Sequence, residues 1–311
     1  MEIVWLILSL VILYYGAEAL VSGASSLAKR LGVAPLIIGL TIVSIGTSLP
    51  ELVVSVKAAS VGQGALSIGN ALGSNMINIS VILGISAIIY PLAVKRQLLK
   101  VDVPVMIITS LLFLFLFLDS EISLIDALIL LSVFIAYNAY LVIISKKNQT
   151  DNMEDEGEGI KMSKHWAIDL VFIVAGLIAL VYGSDLLVVN ASIIAKELGM
   201  SEAMIGLTIV AIGTSTPELA TSVVAALKRR SDIAIGNIVG SNIFNILLIV
   251  GVAGTINPIQ AFDINYMDSL FVVFLGLVLW LFMKMGTVIR RWQGVIFLLL
   301  YLFYFIFKLN M

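Results

Sequence analysis

Ile38-Gly-Leu-Thr-Ile-Val-Ser-Ile-Gly-Thr-Ser-Leu-Pro-Glu51 and Ile205-Gly-Leu-Thr-Ile-Val-Ala-Ile-Gly-Thr-Ser-Thr-Pro-Glu218 are one phrase written twice. In both, a glutamate closes an apolar run interrupted by glycine and proline. An ionised glutamate in hydrocarbon costs roughly 3 kcal/mol on insertion scales and more on isolated helices, so such acids face a cavity and a partner. Pro50 has no N–H, and its ring crowds the carbonyl of Gly46; Pro217 and Gly213 repeat the relation. A helix opened over Gly46 to Pro50 frees carbonyls beside the hydroxyls of Thr47 and Ser48. Spacings of three and four put those hydroxyls on the face of Glu51. Hydroxyl, carbonyl and carboxylate oxygens are the ligands that hard cations prefer.

The surrounding composition makes this a membrane problem. Hydrophobic residues are 60% of 311, against roughly 45–50% in soluble domains, and the chain reads as an all-α polytopic membrane protein. It has no cysteine, so neither a disulfide framework nor a thiolate metal site is available. With 18 basic and 20 acidic residues, the balance carries no signal for nucleic acid, and nothing calls for an obligate protein partner. The first apolar run follows Met1-Glu2 with no basic segment, and is read as a retained helix.

Runs long enough to span, about 20 residues each, fall near 2–24, 34–59, 65–90, 102–118 and 122–144, then near 166–188, 203–227, 232–256, 267–284 and 292–308. Ten transmembrane helices are expected, with the second and seventh broken. The two phrases lie 167 positions apart, an offset that holds without a gap from Gly16/Gly183 to Pro91/Pro258. Twelve of fifteen positions agree between 37–51 and 204–218, and ten of eighteen between 67–84 and 234–251. Five spans per copy is an odd number, so the copies enter the membrane in opposite senses: residues 1–145 and 166–311 form two inverted five-helix repeats joined by a linker, 146–165.

Charge supports the inversion independently. Fifteen of the eighteen Lys and Arg fall on one set of loops, leaving Lys57, Lys196 and Lys308 on the other. The positive-inside bias then puts both termini outside and the acidic linker, with Asp151, Glu154, Asp155, Glu156 and Glu158, in the cytoplasm. That linker reads as a disordered connection, with a calcium-regulatory role as its alternative. Lys228-Arg229-Arg230 stand where the first copy has Val61-Gly62-Gln63. Paired inverted helices interrupted by Gly and Pro point to a secondary transporter whose site lies at the midplane.

A second pair of phrases, Gly69-Asn70-Ala-Leu-Gly73-Ser74-Asn75-Met-Ile-Asn78 and Gly236-Asn237-Ile-Val-Gly240-Ser241-Asn242-Ile-Phe-Asn245, carries polar residues every fourth position. Asn70, Ser74 and Asn78 form one stripe, as do Asn237, Ser241 and Asn245. The glycines let backbones approach closely. A single Asn in a span is usually interhelical glue; a stripe duplicated beside a duplicated Thr-Ser-x-Pro-Glu is better read as part of a site. Glu18 and Asp185, the other acids related by the offset, either line an ion path or brace helices.

With Gly46-Thr47-Ser48-Leu-Pro50-Glu51 and Gly69-Asn70-x-x-Gly73-Ser74-Asn75 both present twice, the chain resembles the cation/calcium antiporter superfamily, most of all its prokaryotic sodium/calcium exchangers. The resemblance covers both halves. It implies transported Ca2+ and Na+, and cation ligands at Thr47, Ser48, Glu51, Ser74 and Asn78 in the first half and Thr214, Ser215, Glu218 and Ser241 in the second; the compact repeat without a targeting peptide suits a plasma-membrane location. Backbone carbonyls of Ser44 and Ala211 correspond to sodium ligands of the family. It also implies that the first and sixth helices slide past the bundle. Asn245 stands where well-described family members carry an aspartate, which leaves the coupling ratio open. Proton-coupled and potassium-dependent exchange remain alternatives. An intramembrane hydrolase does not fit: there is no Gly-x-Ser-x-Gly elbow, and the one histidine, His165, sits at a span boundary. An enzyme is not expected, and a channel suits a single-chain inverted repeat less well than alternating access does.

Overall fold

The computed structural model describes residues 2–147, 163–198, 211–262, 264 and 266–309. Helix α1 runs Glu2–Leu31, and the second span is two helices, α2 (Pro35–Thr47) and α3 (Leu49–Ser60), bent by 47°. Then follow α4 (Gly64–Ile89), α5 (Leu98–Leu116) and α6 (Leu124–Lys147). The second half contains α7 (Trp166–Glu197), α8 (Ala211–Thr214), α9 (Thr216–Leu227), α10 (Ser231–Ile256), α11 (Tyr266–Lys284) and α12 (Arg291–Leu309). Among the described residues, eight helices are long and apolar enough to cross a membrane, and nine spans result when the bent pair counts as one. The seventh span is described only from Ala211 on. Positions 148–162 of the linker also lie outside the described residues.

Helices α1 and α7 are longer than their apolar runs suggest. Their 30 and 32 residues reach about 45–48 Å, well beyond the ~30 Å of hydrocarbon. They pack along each other through glycine: a Cβ on Gly16 would lie 2.9 Å from the Ala179 Cβ, and one on Gly176 would lie 2.7 Å from the Gly16 carbonyl oxygen. Arg30 Nε also meets the buried Asp169 carboxylate at 2.9 Å, tying the end of α1 to the start of α7. Ile7, Ile125, Ile135, Val171 and Phe303 point away from the protein, which is where a bilayer would meet them. Helix α10, by contrast, is enclosed by its neighbours almost completely.

Helices α4 and α10 both end just before Tyr90-Pro91 and Asn257-Pro258, whose first residues are extended, because the residue before proline is pushed out of the helical region. Four two-residue strands that hydropathy did not foresee follow: β1 (Leu92–Ala93), β2 (Glu121–Ile122), β3 (Ile259–Gln260) and β4 (Val288–Ile289). Strand β1 pairs antiparallel with β4, and β2 with β3. Leu92 faces Ile289, and Ile122 faces Ile259; adding 167 to 92 and to 122 gives 259 and 289. One pairing is therefore the image of the other under the repeat, and each ties one half to the other.

Gly64 starts α4 directly against β3. A Cβ there would run into the Gln260 carbonyl oxygen, a backbone atom that cannot swing away. Gly64→Ala is expected to lower stability by about 1–3 kcal/mol, read as an earlier thermal unfolding transition in detergent. An unchanged transition would mean that this strand yields freely.

Candidate cation site

The break between α2 and α3 is narrower than the expected opening over Gly46 to Pro50. It falls on Ser48 alone, with φ −83° and ψ 8°, and Ser215 takes nearly the same conformation, φ −88° and ψ 8°, between α8 and α9. Ser48 N–H still reaches the Ser44 carbonyl, and Leu52 N–H reaches that of Ser48. Pro50 and Pro217 sit in the first turn of the helix that follows, where a missing N–H costs nothing.

That kink redirects the hydroxyls. Spacing alone puts Ser48 on the face of Glu51, but its Oγ donates to Glu218 Oε1 of the other half at 2.9 Å and lies 3.0 Å from Ser241 Oγ. Ser215 Oγ, reciprocally, donates to Glu51 Oε1 at 3.0 Å and lies 3.1 Å from Ser74 Oγ. Ser74 adds a long contact to Glu51 at 3.5 Å. Each carboxylate is thus held by a serine from the opposite repeat, and the two sets of bonds exchange under the 167 offset.

The asparagines fix the scaffold around them. Asn70 Nδ2 donates to the Glu51 carbonyl at 3.1 Å and to Ser55 at 2.9 Å, and Asn237 Nδ2 does the same for Glu218 and Ser222 at 3.5 and 3.1 Å. Thr47 Oγ1 donates to Asn237 Oδ1 at 3.0 Å. Asn245 Nδ2 donates to Asn75 Oδ1 at 2.9 Å, and Asn75 Nδ2 to the Asn242 carbonyl at 3.1 Å. Asn70 and Asn237 belong to the stripe read as part of the site, and here they hold its backbone; Asn75 and Asn242 lie outside that stripe, although their recurrence in both copies is a signal for them. Asn78 and Asn245 each begin a π-helical turn, a distortion frequent at functional sites.

Ser44, Thr47, Ser48, Glu51, Ser74, Asn78, Ser215, Glu218, Ser241 and Asn245 are all at most 4% exposed. Thr214 is half-buried, and Ala211 opens α8. Four oxygens among these residues are buried without a hydrogen-bond partner: Glu51 Oε2, Glu218 Oε2, Asn78 Oδ1 and Asn245 Oδ1. Buried polar atoms are rarely left so, and an all-oxygen set with two carboxylates is chemistry for a hard cation. Of the other repeat-related acids, Glu18 pairs with Lys228 Nζ at 2.9 Å and so braces α1 against the end of α9, while Asp185 is exposed on α7.

Known proteins agree with this architecture. The family described as sodium/calcium exchanger protein matches residues 1–143 and 168–310. The sodium/calcium exchanger MaX1 of Methanosarcina acetivorans is 32% identical over 333 aligned residues, 95% of each chain. Inner membrane protein YrbG of Escherichia coli strain K12 is 38% identical over 258 residues, 81% of this chain and 79% of that one. A solved structure of the sodium-calcium exchanger NCX_Mj superposes with a TM-score of 0.85 at 34% identity, covering 97% of each chain. A multi-pass membrane protein whose two halves both match that family, and whose whole length superposes on one of its structures, belongs to the sodium/calcium exchanger family.

Proposed function

We propose that this protein exchanges Na+ for Ca2+ across a plasma membrane by alternating access, with Glu51 and Glu218 as the shared cation ligands. The observation that carries the reading is the reciprocal pair of buried carboxylates, each held by a serine of the other half. Thr47, Ser48, Ser74 and Asn78, with Thr214, Ser215, Ser241 and Asn245, complete the coordination through side-chain oxygens, and Ser44 and Ala211 through backbone carbonyls. The chain acts as two inverted five-span halves, 1–145 and 166–311, joined by a cytoplasmic linker at 146–165. The distribution of Lys and Arg supports termini outside.

Exchange follows from charge. Two ionised carboxylates removed from water cost several kcal/mol each, and their mutual repulsion adds to that. One Ca2+ or two Na+ neutralises them, so the loaded site can cross and the unloaded one cannot. Because both ions use the same two carboxylates, they compete. A serine hydroxyl keeps its proton on a carboxylate while offering its lone pairs to the ion. The glycine seam packs α1 tightly against α7, so the two helices slide past the bundle as one unit.

The test is 45Ca2+ uptake into proteoliposomes loaded with Na+, K+ or choline at matched pH, beside an acid-loaded set. Uptake is expected only with Na+ inside. With two carboxylates and with Asn245 neutral, the flux is expected to be insensitive to a clamped voltage. Uptake driven by an acid interior alone would overturn the sodium assignment, and a steep voltage response would overturn the two-for-one count.

A further inference from the structure

One cavity adjoins the site without being used by the mechanism above. It has a volume of ≈ 520 Å3 and lies between α4, which contributes Asn70 and Ser74, and the ends of α11 and α12, which contribute Asp268, Tyr304 and Lys308. Ser74 is the residue that contacts both Glu51 and Ser215, so the inner wall of the cavity is the wall of the carboxylate site. At its far wall Asp268, 7% exposed, accepts from Lys308 Nζ at 2.7 and 2.8 Å and from the Tyr304 hydroxyl.

The repeat separates what is structural here from what is added. Tyr304 lies 167 positions after Tyr137, and Tyr137 donates to Asp102 at 3.1 Å, an acid one position off the same offset. A Tyr–Asp bond between the fourth and fifth spans is therefore built into both halves and serves as a brace. The lysine is not. The counterpart of Lys308 is Leu141, which is fully buried, whereas in the second half the acid faces a cavity with an ammonium on it.

Resting on the exchange reading above, we propose that Asp268 is an outlying station for the transported alkali or alkaline-earth cation, between the face at which α12 ends and Ser74. Lys308 is its tethered occupant. The ammonium on its flexible stem is itself a cation bound to a carboxylate, and the lysine side chain is far more exposed than the acid, so an arriving ion displaces it without breaking the Tyr304 brace. When the ion moves on to Ser74, the lysine returns and discourages back-flow.

Two substitutions that break the same ion pair make opposite predictions. Lys308→Met leaves an uncompensated carboxylate on the path and is expected to lower the half-saturating cation concentration at that face by roughly three- to tenfold. Asp268→Asn leaves an uncompensated ammonium and is expected to raise it by a similar factor. Wild-type uptake measured alongside reports on the exchange reading itself. A pair that merely clamps α11 to α12 would shift both variants in the same direction, and that result overturns the station.

A readout independent of transport uses the absence of native cysteine. Phe305, which also lines the cavity, is replaced as Phe305→Cys and modified with impermeant cationic and anionic methanethiosulfonates. The cationic reagent is expected to react faster, and added Na+ or Ca2+ to slow it, with Asp268 present and not with Asp268→Asn. Equal rates for both reagents, unaffected by Asp268→Asn, would overturn the proposal even in a chain that failed to exchange.

Discussion

Glu51→Gln and Glu218→Gln are each expected to cut Na+-driven Ca2+ uptake at least a hundredfold. Glutamine keeps the shape of the side chain and an oxygen for the serine that reaches it, Ser215 at 3.0 Å for Glu51 and Ser48 at 2.9 Å for Glu218, so the fold is spared. What goes is one of the two charges that balance Ca2+. Removing one partner of a buried charge pair costs about 3–5 kcal/mol, and every 1.4 kcal/mol is about tenfold in affinity.

Stability should move the other way. In choline buffer each variant buries one charge fewer, and its thermal unfolding is expected to occur at or above the wild-type temperature. Added Ca2+ should raise the wild-type transition through its preference for the folded protein, and should leave the variants where they are. Calcium flux that survived in both variants would remove these residues from the site. A variant that unfolded early in choline would assign them a structural role instead.

Gly240→Val is expected to reduce uptake more than tenfold in a protein that still inserts. Helix α10 approaches α2 through Gly236 and Gly240, and a Cβ on Gly240 would lie 2.6 Å from Ser44 Oγ and 2.8 Å from the Leu40 carbonyl oxygen. The carbonyl belongs to a helix backbone and cannot turn aside, so the two helices must separate. Overpacking of this kind costs about 1–3 kcal/mol, and here the displacement falls where Ser48 meets Glu218 and Ser241. Gly286→Ala, at a position with open space around its Cβ, serves as the control and should behave as wild type. Equal uptake by the two variants would show that the approach at Gly240 is not needed for the site.

The membrane class, most of the spans and the two acidic residues were legible in the linear chain, because each rests on a local property. Twenty apolar residues in a row span hydrocarbon wherever they occur, and a glutamate among them is costly whatever surrounds it. The repeat was legible too, since a shared offset needs no coordinates. Local signals also misled. Spacing put Ser48 on the face of Glu51 without showing that its hydroxyl goes to Glu218, and the opening expected over Gly46 to Pro50 contracts to one residue.

The over-long α1 and α7 could not be seen from hydropathy, which marks where hydrocarbon is satisfied and not where helical hydrogen bonding stops. Nor could the strand pairs β1–β4 and β2–β3, whose partners lie far apart in the chain. The chain by itself determined that two carboxylates would be carried into a membrane on two broken helices of opposite sense, for burial cost and periodicity are one-dimensional. Only the tertiary structure decided that each carboxylate is held by the other half, and that Asp268 carries Lys308. Hydrogen-bond partners more than a hundred residues away are chosen by packing, and packing is not written in any one segment.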